Sequence, residues 1–249
     1  IGKTDLRMTV KTPKAEWFFA PCDGNDVQLR GKHFSLLAAK IVKCEPFNTG
    51  YSAGMTLSFS EFPDAPGLDL RLTANLIGNE IVFEIAAPGD VSNLELILWP
   101  KPLATENTDK DFAVIPHMQG MLLPGNWDQS INEADLSNSR SLYMPWWGQI
   151  RDGRGVLTIL ETSDDAGAAY RHPKGGPTTI QPRWHASLGR LNYMRIARYV
   201  FDDEATYVTF AKRYRRFVKE GGRFVSLDEK RVRTPNVNEV IGRPVVHLG

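Results

Sequence analysis

The chain has 249 residues, 42% of them hydrophobic and 24% charged, with 30 Lys and Arg against 29 Asp and Glu for a formal net charge of +1. That length buries one large core or two ordinary ones. The balanced charge excludes the basic footprint of a nucleic-acid or anionic-membrane partner, and no apolar run reaches the roughly 18–20 residues that a membrane-spanning helix needs.

From residue 5 to residue 202 the apolar pattern has a period of two almost throughout. Residues 6–10, LRMTV, open it. Cys22 and Cys44 come next, at a spacing that matches no zinc or redox pattern. Pairing across neighbouring strands in an oxidising compartment and two free buried thiols both stay open. Residues 54–62 set Met55, Leu57, Phe59 and Glu61 on one face. Residues 69–77 do the same with Leu70, Leu72, Ala74 and Leu76, and residues 80–86 with Ile81, Phe83 and Ile85. Residues 92–99 place Leu94, Leu96 and Leu98 together. This alternation predicts antiparallel strands with one buried face. Gly78-Asn79 supplies the positive φ of a tight hairpin between two of them.

The second half repeats the style. Residues 115–124, IPHMQGMLLP, are apolar and turn-rich, and residues 124–141 form a polar excursion predicted at the sandwich edge. Residues 154–161 follow the turn Arg151-Asp152-Gly153. Residues 165–171 and 178–187 are parted by the loop HPKGGP, and 193–201 form a further strand. About a dozen strands with turns every 8–12 residues predict a mainly β fold, a large two-sheet antiparallel β-sandwich, over an α/β fold.

Helices come last. Asp202-Asp203-Glu204 is an acidic start, and Tyr207, Phe210, Ala211, Tyr214, Phe217 and Val218 recur at helical spacing up to Gly221-Gly222. The basic residues of KRYRRFVK, 212–219, read as a solvated face. Ser226-Leu227-Asp228-Glu229 has the form of a capping box, and its helix ends at Thr234-Pro235. Pro244-Val245-Val246-His247-Leu248 then reads as the start of a buried strand. The predicted layout is a sandwich over 1–203, short α-helical linkers over 204–242, and a new strand over 243–249, with further sequence expected after Gly249.

No GxGxxG, GxSxG, HExxH or CxxC is present, so any chemistry must come from dispersed residues. Met144-Pro145-Trp146-Trp147-Gly148 sets two indoles side by side. In a strand they face opposite ways, so one can enter the core while the other offers a sugar platform; packing of both is the plainer alternative. Trp127 sits in the polar excursion. Glu161, Asp164 and Asp165 follow a strand, where they can serve as a glycosidase pair, a cation site or a turn cap. Glu161 with His172 or His185 would supply the base and acid of a sugar mutarotase. Against this, a lone histidine is more often a satisfied structural residue. The substrate-side candidates are Trp127, Trp146, Trp147 and Asp164.

Taken in order, Leu98-Trp99-Pro100, IPHMQGMLLP, Met144-Pro145-Trp146-Trp147-Gly148, Glu161-Thr162-Ser163-Asp164-Asp165-Ala166 and the tail SLDEKRVRTPNVNEVIGRPVVHL resemble the N-terminal part of large glycoside hydrolases. In these a galactose-mutarotase-like β-sandwich (a supersandwich) precedes a (β/α)8 barrel. The order is most similar to the endo-α-N-acetylgalactosaminidases and their relatives. The resemblance implies that PVVHL is the first barrel strand, and that the catalytic carboxylates lie on the barrel, beyond these residues. It implies a non-catalytic sandwich that supports the barrel and helps shape a glycan cleft. The expected partners are a carbohydrate and a C-terminal catalytic barrel in the same polypeptide. The expected location is extracytoplasmic, periplasmic or secreted. No cofactor is expected, and a structural cation such as calcium stays open. The rival readings are a stand-alone mutarotase or epimerase using Glu161 with His172 or His185, and a lectin-like carbohydrate-binding module.

Overall fold

The computed structural model describes residues 1, 2, 4–103, 108–117, 120–137, 144–234 and 236–243. Contacts divide the chain into two units, Ile1–Phe210 and Ala211–Gly249. The first unit holds the strands. In chain order they are β1 (Thr9–Lys11), β2 (Glu16–Phe18), β3 (Val27–Leu29), β4 (Lys32–Phe34), β5 (Ile41–Asn48) and β6 (Ala53–Ser60). Next come β7 (Leu70–Ile77), β8 (Glu80–Ala86), β9 (Leu94–Ile97), β10 (Asp111–Ile115), β11 (Met121–Pro124) and β12 (Ile131–Ser137). The last are β13 (Trp146–Arg151), β14 (Arg154–Leu160), β15 (Ala166–His172), β16 (Thr179–His185) and β17 (Arg195–Asp202).

Two antiparallel sheets carry the sandwich. One has nine strands in the order β11-β10-β13-β14-β17-β8-β7-β6-β5, the other six in the order β12-β15-β16-β9-β3-β4. The hairpin β1-β2 stands as a two-stranded sheet. It is tied to the larger sheet through Arg151, which donates to the Glu16 carbonyl at 2.7 Å, and Arg154, which donates to the Lys14 carbonyl at 3.0 Å. The mainly β, two-sheet antiparallel architecture expected from the alternation is the one observed. Hairpin chemistry follows the sequence too. Gly78 joins β7 to β8 at φ 61°, and Asp152-Gly153 joins β13 to β14 at φ 47° and 75°, the left-handed conformations a two-residue hairpin loop requires.

The core lies between the sheets and is centred on aromatic rings. Phe83 on β8 meets Trp99 edge-on at 5.0 Å and Tyr199 on β17 at 5.1 Å, and Phe19 packs on Phe83 and Tyr199, both at 5.6 Å. The Trp184 indole N–H from β16 donates to the Trp99 carbonyl at 2.6 Å, so the smaller sheet is pinned to the same cluster by a satisfied polar group.

Three details depart from the sequence reading. Leu76, expected on the buried face of β7, is 48% exposed. Residues Leu94, Leu96 and Leu98 do not share a face. Leu94 and Ile97 enter the core, and Leu96 and Leu98 turn the other way. The cause is a register shift between Gln28 and Leu29 where β3 pairs with β9, which breaks the strict period of two. The first helix, α1 (Tyr207–Glu220), starts later than the acidic run suggests. Asp202 still belongs to β17, and the cap is Thr206, whose Oγ1 accepts from the Thr209 N–H at 3.0 Å. The Phe210 ring lies against Gly148 and Gly155 on β13 and β14. A Cβ at Gly148 would stand 2.3 Å from that ring, so a glycine is what lets the helix begin there.

In the second unit, Gly222 at φ 66° ends α1. Helix α2 (Leu227–Arg233) carries the expected reciprocal capping box between Ser226 and Glu229, and α3 (Val237–Val240) follows. Of the strand expected over 243–249, residues 244–249 lie outside the described residues.

Candidate functional site

The six-stranded sheet has one apolar and one polar face, and the polar face is concave enough to form a cleft of about 540 Å³. Alternation on the strands builds it. On β16, Ile180, Pro182 and Trp184 point inward, leaving Thr179, Gln181 and Arg183 outward. On β15, Ala169 and Arg171 share that outward face, Ala169 opposite Gln181 and Arg171 opposite Thr179. From β12 comes Glu133, and from the far strands come Leu96, Leu98, Gln28 and His33. The segment before β3 and the one after Trp99 close one end with Asp23, Lys101 and Pro102.

Charges in the cleft are mutually neutralised. Glu133 accepts from Arg183 at 2.6 Å and from the Arg171 Nε at 2.8 Å, with a second, shorter contact to the Arg171 Nη2. Arg183 also faces Asp135 at 3.7 Å. Hydrogen bonds from Arg183 and then Arg171 hold the Glu133 carboxyl below the usual glutamate range. At the other end Lys101 reaches Asp26 at 2.9 Å and Asp23 at 3.0 Å. Burial alone would lower the Lys101 ammonium, but its bonds to Asp26 and Asp23 outweigh burial and hold it above its usual value. Asp26 is fully buried and takes four donors: Lys101, the Asp23 N–H, the Ser35 hydroxyl and the Leu36 N–H. That satisfied carboxylate fixes the floor of the cleft end. Gln181 donates to the Pro100 carbonyl at 2.9 Å, which sets the orientation of its amide on the open face.

The residues singled out from the sequence lie elsewhere and apart from one another. Trp147 is 1% exposed in the core, and Trp146 on the opposite face of β13 is 4% exposed. The plainer expectation for this pair, packing of both, is what is found. Of the three candidate indoles Trp127 alone reaches solvent, at 37% exposure. Asp164 is an exposed turn residue ahead of β15. Glu161 follows β14 and bonds Arg198 at 2.6 Å; Arg198 bonds Glu80 as well. His172 is fully buried. Its Nε2 lies 3.0 Å from the Trp127 carbonyl and its Nδ1 3.0 Å from the Thr178 hydroxyl. A carbonyl can only accept, so Nε2 carries the proton, and in the neutral ring Nδ1 accepts from Thr178. His172 is thus a clamp that holds the Trp127 loop to β15. His185 is exposed on β16, with local desolvation, the largest influence, drawing it below the usual histidine value. Among the described residues no hydrogen bond links Glu161 to either histidine.

Sequence reasoning missed the cleft residues and one neighbouring group. The acidic residue that organises the 161–165 segment is Asp165, which accepts from Ser187 at 2.7 Å, from Tyr193 at 3.2 Å and from the fully buried Arg195 at 3.1 Å. The signal available for the cleft was the polar alternation Thr179-Gln181-Arg183 beside Arg171, which reads as an ordinary solvated face until the sheet order is known. The thiols are free: Cys22 is half-buried, with desolvation and then Asp26 pushing it up, and Cys44 is exposed on β5. Among the described residues no group of three or more His, Cys, Asp or Glu gathers as a metal site, and no helix is long and apolar enough to cross a membrane.

No family model matches the chain, and no curated protein does either. Solved structures do. The chain is 30% identical to the α-N-acetylgalactosaminidase NagBb from Bifidobacterium bifidum in its GalNAc complex, with a TM-score of 0.90 over 99% of this chain and 41% of that one. Against the Gal-NHAc-DNJ complex of the same enzyme identity is 31% and the TM-score 0.87, again over 99% and 41%. Against its ligand-free form the TM-score is 0.87 at 30% identity. The chain therefore spans well under half the length of the glycosidase it matches, and the resemblance to a region of such an enzyme, named from the sequence, holds in three dimensions.

Proposed function

We propose that this chain is the non-catalytic, carbohydrate-associated β-sandwich of a glycoside hydrolase, where it supports a catalytic barrel in the same polypeptide and lends one wall to its glycan cleft. The observation that carries the reading is the likeness to the α-N-acetylgalactosaminidase, which runs the length of this chain and stops at 41% of that one. The internal chemistry supports it. Glu161 is engaged by Arg198 and His172 by Thr178 and Trp127, and among the described residues no hydrogen bond joins Glu161 to His172 or His185. The reading needs no cofactor, and it places the protein outside the cytoplasm, periplasmic or secreted. The test is the reading frame after Gly249. Continuation for the roughly 200 or more residues of a barrel, with alternating strand and helix patterns, is the expected result. A stop codon directly after Gly249 would overturn the reading.

A further inference from the structure

We propose that the cleft on the open face of the six-stranded sheet is itself a binding site, and that its ligand is an uncharged oligosaccharide. The choice of a saccharide rests on the function proposed above; the requirement for an uncharged ligand stands on the charges alone. Arg171 and Arg183 close on Glu133, and Lys101 closes on Asp23 and Asp26. Among the described lining residues every Lys and Arg is already paired, so a sulfated or uronic ligand would have to break one of these contacts to gain its own. A hydroxyl-rich ligand needs no such exchange. The ion-paired Arg171 and Arg183 line the cleft and carry more N–H donors than their carboxylate contacts use, and Glu133, Gln181 and Thr179 add oxygens that accept.

The arrangement is fixed before any ligand arrives. Glu133 locks both arginines, and the Pro100 carbonyl locks Gln181. Preorganised polar groups bind at a lower entropic cost than free ones. Leu96, Leu98 and Pro102 add an apolar strip among them, suited to the C–H faces of sugar rings. The register shift at Gln28/Leu29 is what delivers Leu96 to this face, so the bulge shapes the site. The lining runs from Glu133 on β12 to His33 on β4, across all six strands. At about 4.8 Å per strand that is roughly 24 Å, room for several linked rings.

The experiment is calorimetric titration of the 249-residue chain with three probes: N-acetylgalactosamine, a neutral galacto-tetrasaccharide and a sulfated heparin tetrasaccharide. Saturable binding of the neutral tetrasaccharide is expected, stronger than that of the monosaccharide and absent for the sulfated probe. Thr179→Val, which keeps the shape and removes the hydroxyl, and Gln181→Met should each weaken binding by about tenfold, the loss of one ligand hydrogen bond. Their thermal melts confirm that both variants are folded. No saturable binding of the neutral probes, affinity unchanged in both folded variants, or preference for the sulfated probe overturns the inference. None of those outcomes touches the proposed function, which the reading frame decides.

Discussion

Arg183 and Glu133 show how charge is managed at the level of single residues. The carboxyl is held below its usual value because two guanidinium groups prefer its ionised form. Its folded value is depressed, so its contribution to stability is complete above the unfolded glutamate value near about 4.3 and fades as pH falls through the folded value. Carbon-detected NMR titration of Glu133 should show a midpoint below that of a free glutamate, and Arg183→Met should move it upward; an unmoved midpoint would remove Arg183 as the cause. Buried Asp26 is a second case. Asp26→Ala strips Lys101 of its fully buried partner and should cost about 3–5 kcal/mol in denaturant unfolding. His172→Ala removes a fully buried ring and its bonds to the Trp127 carbonyl, which keeps only the Gly175 N–H at 2.7 Å, and to the Thr178 hydroxyl, with an expected loss of about 2–4 kcal/mol and a red shift of Trp127 fluorescence as its loop loosens. None of these partnerships was legible in the sequence, because Glu133 stands 38 and 50 residues from Arg171 and Arg183, and Lys101 stands 75 from Asp26.

Elements were legible where one periodicity ran unbroken. The alternations in β6 and β8 gave the buried face directly, and in β7 the pattern held for Leu70 and Leu72 but not for Leu76, which is 48% exposed near the Gly78 hairpin. Strand β9 misled, because the step from Gln28 to Leu29 on β3 faces two steps on β9, so Glu95 is an extra residue that turns Leu96 from the core to the cleft. The indole pair on β13 was readable only as a choice, and the burial of both follows from a sheet covered on its two faces there. The start of α1 depends on a close approach that no propensity records. Gly148→Ala should force Phe210 away from β13 and cost about 1–3 kcal/mol, read as a lowered melting temperature. A melting temperature equal to that of the parent chain would mean that the helix start adjusts freely.

At the scale of the molecule, two sheets of nine and six strands divide the work. Their inner faces share one aromatic core, and the outer face of the smaller sheet is left polar and hollow. The two-sheet architecture was visible in the sequence because strand count and turn spacing are local quantities. The cleft was not, because it exists only once β12, β15, β16, β9, β3 and β4 are side by side in an order the chain does not follow. Glu161 and His172, which looked chemical, are held by Arg198 and by Thr178 with the Trp127 carbonyl, and residues that read as an ordinary solvated face line the cleft. The measurement that tests this division most directly is activity of the 249-residue chain alone, assayed for hydrolysis of an aryl α-N-acetylgalactosaminide and for galactose mutarotation. The account predicts no turnover above the uncatalysed rate in either assay. Turnover by the chain alone that is lost in Glu161→Gln or His185→Ala would contradict it.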